Sequence, residues 1–208
     1  MRLRLNNTKA FTLLELLIAL ILVTVIAISI FSMDLFGRYH LISVDRRRRV
    51  QNQVSDVLEH ISRHIINTIG NPYVTGSNPV YMPDTRSIEI YIDQAVGGGA
   101  GDGQSGTGGD KWIAYCYDNT TYEVKYCADY DNLSSACDAS SCNAGWETVG
   151  KNIRTFVPTT EANYTYVAFD ISGCWNLSET DPTKHCGTSD NPAVTMKTRF
   201  NLPSVAQR

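Results

Sequence analysis

Proline is absent before Pro72 and cysteine before Cys116, and Gly37 is the only glycine between Phe11 and Ile69. With the helix breakers missing, an unbroken helix is the reading for the first third of the chain. Several catalytic signatures are missing too: there is no G-x-S-x-G, no H-E-x-x-H, no C-x-x-C and no G-x-x-x-x-G-K-[ST]. Their absence removes the serine-hydrolase elbow, the zinc-protease helix, the usual zinc and thiol-redox pairs and the phosphate-binding loop. A basic surplus is lacking as well. Lys and Arg number 18 against 21 Asp and Glu, a formal charge of −3. Three of those cations (Arg2, Arg4, Lys9) lie in the first ten residues, so the rest of the chain stands at −6. That balance argues against nucleic acid as a partner, which calls for a basic footprint.

What is present begins with an apolar run from Phe11 to Met33, 23 residues. As a helix rising about 1.5 Å per residue it can cross a hydrocarbon core of roughly 30 Å. Thr12, Thr24, Ser29 and Ser32 can turn their hydroxyls onto the helix backbone. Glu15 is the exception, because a carboxylate in a bilayer costs several kcal/mol and is usually functional. A secretory signal peptide would have a shorter apolar core of about 7–15 residues with a small-x-small cleavage site at its end. An uncleaved anchor could let Glu15 snorkel to the interface. A cut between Ala10 and Phe11 explains more. It creates an α-amino group four residues before Glu15, and an amine and a carboxylate at that depth can neutralise each other within or between chains. Leaving either unmatched is costly, so the pair would set the axial stagger of neighbouring subunits.

The stretch "KAFTLLELL" resembles the type IV prepilin signal, a short basic leader followed by F-T-L-[IL]-E-[LV]-[LIV]. The resemblance implies a leader at 1–10, cleavage after Ala10 by a membrane prepilin peptidase, and N-methylation of Phe11. Ala10 stands where the family usually has Gly. It also implies a transmembrane helix at 11–36, a head at 37–208 on the far side of the bacterial inner membrane, and Glu15 as the assembly charge. Implied partners are other pilin or pseudopilin subunits, the peptidase, the inner-membrane assembly platform and membrane lipid.

The apolar period continues through Val50, Val54, Val57, Leu58, Ile61, Ile65 and Ile69, one stripe of a helix that Gly70-Asn71-Pro72 would stop. Arg46–Arg49 forms a basic turn between the two halves. It reads as a solvated collar or as a contact with lipid phosphates or acidic patches of a neighbour. Beyond the helix, strands are expected at 87–93, at 111–117 and 122–127 as a hairpin, at 164–171 and at 193–202. In "SIEIYID" the alternation puts Ile88, Ile90 and Ile92 inward and Glu89, Tyr91 and Asp93 outward. The expected fold is therefore α+β: an amphipathic helical half (37–69) on an antiparallel sheet (87–202). This too resembles the pilin fold, with a weaker likeness to the J-type minor pseudopilin and the W-type minor pilin.

Six cysteines lie between Cys116 and Cys186, an even count confined to one region, which suggests disulfides and an oxidising compartment. The expected pairing joins neighbours: Cys116–Cys127, Cys137–Cys142 and Cys174–Cys186. The glycine run at 97–110 contains Gly101-x-Gly103-x-x-Gly106, but a hairpin follows it where a dinucleotide site needs a helix. It reads as a surface loop, with Asp102, Asp110, Asp129 and Asp131 as candidates for calcium. His60 and His64, four apart, could share a metal, yet with Asp56, Arg63 and Asn67 they read as a solvated face. No cofactor is expected. The reading is a structural subunit rather than an enzyme: a minor component of a type IV pilus or a type II secretion pseudopilus. The alternatives are a tip adhesin or DNA-uptake subunit, and an anchored periplasmic protein that never polymerises.

Overall fold

The computed structural model describes residues 12–68, 79–92, 110–130, 137, 141–160 and 165–202. The chain divides into two compact units, Met1–Val44 and Asp45–Arg208. Helix α1, Leu13–Ile65, contributes to both. It opens on a capping box: the Thr12 amide and hydroxyl each donate to Glu15 Oε2 over 3.1 Å, and the Glu15 amide donates to Thr12 Oγ1 over 3.3 Å. Three acid-to-base pairs at i,i+4 support its length: Asp34–Arg38 at 2.9 Å, Asp45–Arg49 at 3.0 Å and Glu59–Arg63. The helix ends at Ile65, four residues short of the expected Ile69, because Thr68 leaves it to form a bridge with Ile92. Ile69 and the expected stop at 70–72 lie outside the described residues.

In the first unit every large apolar side chain from Leu13 to Val44 is exposed. The hydroxyls behave as expected of a membrane helix. Thr24 donates to the Ile21 carbonyl, Ser29 to that of Val25 and Ser32 to that of Ile28, at 2.7–2.8 Å.

The second unit packs the end of α1 against two antiparallel sheets. The first runs β1 (Val80–Tyr81), β2 (Ser87–Ile92), β3 (Lys111–Asp118), β4 (Glu123–Cys127) and β5 (Glu147–Gly150) in sequence order. The second runs β6 (Ile153–Thr160), β7 (Tyr166–Cys174) and β8 (Ala193–Asn201). Val50, Val54, Val57, Ile61 and Ile65 are the buried stripe of the helix. All but Val50 meet Ile88, Ile90, Ile113, Tyr115 and Val124 of the first sheet and Ile153, Phe156, Val167, Phe169 and Ile171 of the second. Full burial of such a side chain stabilises by about 1.5–3 kcal/mol. The sheets are stitched where the chain passes between them. Ile153 N–H donates to the Tyr122 carbonyl and Cys174 N–H to that of Asn152, both over 3.0 Å. The Tyr117 hydroxyl lies 2.9 Å from the carbonyls of both Ile153 and Arg154 and can donate to either.

Two glycines let the helix sit this close. A Cβ at Gly150, the end of β5, would overlap Val57 Cγ2. One at Gly173, in β7, would lie 2.9 Å from Val54 Cγ2 and 3.0 Å from Val50 Cγ1. One glycine comes from each sheet, so each sheet has a notch for the same stripe.

The outer face of the first sheet departs from expectation. Glu89 is 1% exposed where alternation placed it in solvent. Its face neighbours Ala114 and Cys127 are covered, together with Tyr130 and Cys142, by a second apolar cluster that Trp112 and Trp146 flank. Neither Glu89 carboxylate oxygen has a hydrogen-bond partner among the described residues. Burial alone pushes its carboxyl up to about 8. The unfolded chain releases this proton above the ordinary range and the folded chain holds it, so this contribution to stability is full below about pH 4.5 and lost as pH rises through 8.

Two expectations follow. In heat denaturation of the full chain in detergent, Gly150→Ala and Gly173→Ala should each cost about 1–3 kcal/mol by overpacking. Gly37→Ala, with open space around it, should cost nothing. Glu89→Gln should raise the midpoint at pH 8 and have little effect at pH 5. An equal effect at both values would mean that Glu89 does not hold a proton in the fold.

Candidate functional site

Of the N-terminal residues singled out by the sequence, Ala10 and Phe11 lie outside the described residues. Glu15 is described. The capping box turns its carboxylate back to the first residues of α1, to the backbone amide of Thr12. The carboxylate is therefore bonded to the residue that follows the expected new N-terminus, at the helix end where the partial positive charge of the macrodipole favours an anion.

The basic turn divides. Arg46 donates from Nη1 to the Asp190 carbonyl, and its Cζ lies 5.9 Å from the ring centre of Trp175. Arg49 Cζ lies 5.8 Å from the same ring, while its Nε pairs with Asp45. The simple solvated collar is thus corrected for Arg46, which is half-buried against the indole face, while Arg49 stays exposed beside the same ring. Arg47 and Arg48 are exposed, as expected.

The cysteines form three disulfides, Cys116–Cys137, Cys127–Cys142 and Cys174–Cys186, with Cα separations of 5.5, 5.8 and 5.9 Å. The third is the expected one. The expected Cys116–Cys127 and Cys137–Cys142 bonds are overturned by strand register. Cys116 lies opposite Lys125, and Cys127 opposite Ala114, so the two cysteines share a face but are diagonal. Diagonal positions are about 7–8 Å apart, beyond the span of a disulfide. Each therefore bonds a later cysteine, so Cys137 and Cys142 are both held to the outer face of the first sheet.

Of the calcium candidates, Asp102 and Asp131 lie outside the described residues. Asp110 accepts from the Tyr91 hydroxyl over 3.4 Å, and the carbonyl of Asp129 accepts from the Asn143 amide over 2.9 Å. No group of three or more His, Cys, Asp or Glu side chains able to hold a metal occurs among the described residues. The run after the glycine loop is strand β3, not a helix, so the dinucleotide reading stays rejected.

His60 and His64 are corrected from a solvated face to a half-buried cluster against the first sheet. Nδ1 of each lies within 2.9 Å of the fully buried Tyr115 hydroxyl. His64 Nε2 lies 3.2 Å from the Tyr126 hydroxyl. Asp56, Arg63 and Asn67 are exposed, as expected. The signal missed in the sequence is that Tyr115 and Tyr126 are direct cross-strand partners in the hairpin, making one polar landing point for a helix face. Burial lowers the pKa of both histidines. The neutral rings are the folded form, so their contribution is present above the ordinary histidine value and lost as pH falls below it. In a Glu89→Gln background, where the opposing carboxyl slope is gone, the heat midpoint should fall as pH drops from 7 to 5. A flat profile there would contradict the neutral-ring assignment.

The chain's first residues also carry the comparison that bears on their use. No curated protein and no solved structure gives a match. Residues 5–31, however, match the family model described as the prokaryotic N-terminal methylation motif. The α+β architecture, the exposed apolar helix and the three disulfides fit a pilin fold with a disulfide-rich head. With the motif they support a processed, membrane-anchored subunit of the type IV pilin and pseudopilin kind, one that assembles with others like it.

Proposed function

We propose that the protein is a structural, non-enzymatic subunit of a type IV pilus or of a type II secretion pseudopilus, entering as a minor component. The leader 1–10 is removed after Ala10 by a prepilin peptidase, and Phe11 is N-methylated. The helix 11–36 holds the subunit in the bacterial inner membrane with its head in the periplasm. The assembly platform then draws it into a filament. The observation that carries this reading is the pairing of a methylation motif with an apolar surface, Leu13 to Val44, that its own chain leaves exposed. Lipid covers that surface first, and the like helices of neighbours cover it afterwards. Glu15 meets the Phe11 amine of an adjacent subunit during recruitment. The capping box supports this role, because it already presents the carboxylate at the amino end of the helix. The likeness to the J-type pseudopilin and the W-type minor pilin is part of the same proposal.

The test has two readings. The mass and N-terminal sequence of protein from its native membrane should give a chain beginning at methylated Phe11. Glu15→Ala should leave that processing intact and reduce incorporation into sheared filaments at least tenfold. A chain beginning at Met1, or wild-type incorporation of the variant, would overturn cleavage or pairing respectively.

A further inference from the structure

Among the described residues the two sheets end on four edge strands, β1, β5, β6 and β8, and three of these are blunted. β1 is two residues long and β5 four, with a register shift where β5 meets β4. β6 carries Pro158 and a register shift between Ile153 and Thr155. Shortness, bulges and proline are the devices that keep an edge from pairing with another chain. β8 has none of these. It runs nine residues without proline or glycine, and every residue from Ala193 to Asn201 pairs with β7 without a shift. No strand among the described residues pairs with its other side. Lysine on an edge can also deter pairing. Here the two cations of β8 are drawn back over their own sheet. Lys197 Nζ lies 2.6 Å from Asp170 Oδ2, and Arg199 Cζ lies 3.5 Å from the ring centre of Tyr166, both partners being in β7.

The ladder fixes which backbone groups are left over. Leu202 N–H donates to the Thr165 carbonyl over 3.0 Å, and Trp175 N–H to that of Pro192 over 3.2 Å. Bonding in an antiparallel pair alternates from residue to residue. The even-numbered residues of β8 therefore bond to β7, and Ala193, Thr195, Lys197, Arg199 and Asn201 turn their N–H and C=O groups to the other side. The side chains say what fits there. Val194, Met196 and Phe200 are only half-buried, and Met196 and Phe200 already pack against the core. A strand added about 4.8 Å away would lay every second side chain beside them. On the opposite face Arg199 is exposed and has no ion pair among the described residues, so a carboxylate across from it is favoured. Full overlap of two copies of β8 would set Lys197 against Lys197, which disfavours a second copy as the occupant.

We propose that β8 is a docking edge that takes an extended segment of another protein by antiparallel strand addition, the segment having apolar side chains on one face and a carboxylate opposite Arg199. The edge belongs to the second unit alone, so this binding does not depend on how the N-terminus is processed.

The test is fluorescence anisotropy of a labelled synthetic peptide with the full chain in mild detergent. The peptide is as long as β8 and alternates valine with glutamate. Wild type should bind it at least tenfold more tightly than a peptide alternating valine with lysine. In the antiparallel ladder the amides that face β8 are those of the glutamates, which lie across from Thr195, Lys197 and Arg199. N-methylation of the glutamate amides should therefore abolish binding, and N-methylation of the valine amides should preserve it. Thr195→Pro removes one outward N–H and leaves the bonds to β7 in place, so it should weaken binding at least tenfold, whereas Thr195→Val should not. The methylated peptides meet the unaltered protein, so a folding defect in the proline variant cannot stand in for loss of the edge. An effect of valine methylation equal to or greater than that of glutamate methylation, equal binding of the acidic and basic peptides, or full binding by Thr195→Pro would each overturn the proposal. So would a wild-type dimer that Thr195→Pro dissolves, because a second copy would then hold the edge.

Discussion

The close seating of one helical stripe against two sheets is the contact on which the head depends. Val50, Val54 and Val57 press against backbone at Gly150 and Gly173, one glycine from each sheet. Separate sheets of five and three strands have no long ladder in common, and few hydrogen bonds cross between them. What makes them one core is that both close on the same side of α1. Dense packing of this kind tolerates neither added methyls nor voids, which is why the seat is formed by residues without side chains.

Around that seat the polar groups have opposite fates. His60 and His64 find two tyrosine hydroxyls at the edge of the core, where burial disfavours their charged forms. Glu89 finds no partner among the described residues, beside the apolar cluster on the outer face of the first sheet. The fold thus sets a hydrogen-bonded histidine pair against a buried carboxyl, with opposite responses to proton concentration. Growth of the head around α1 accounts for the first, and covering of the sheet's far side for the second.

Periodicity made much of this legible in advance. The stripe from Val50 to Ile65, the β3–β4 hairpin and the strand expected at 193–202 are local patterns, and the folded chain keeps them. Strands β5 and β6 were not legible. β5 has four residues, and β6 carries Pro158, which argues against a strand unless it lies at an edge. It does lie at an edge, beside β7 alone. Burial of Glu89 was hidden because alternation assigns a strand two faces but cannot say that both are covered. The Trp175 contact of the basic turn was hidden for a related reason: it joins residues more than a hundred positions apart.

The cross-linking pattern bears on how the head matures. Cys116–Cys137 and Cys127–Cys142 interleave along the chain, each bond enclosing one cysteine of the other. An oxidant acting on cysteines in their order of emergence would join Cys116 to Cys127 first, a link the β3–β4 register rejects. Reaching the native set from there takes attack of a third thiolate on a wrong bond, so that route needs exchange as well as oxidation. Pairing of β3 with β4 before oxidation removes that need, because the register then keeps Cys116 and Cys127 at diagonal positions.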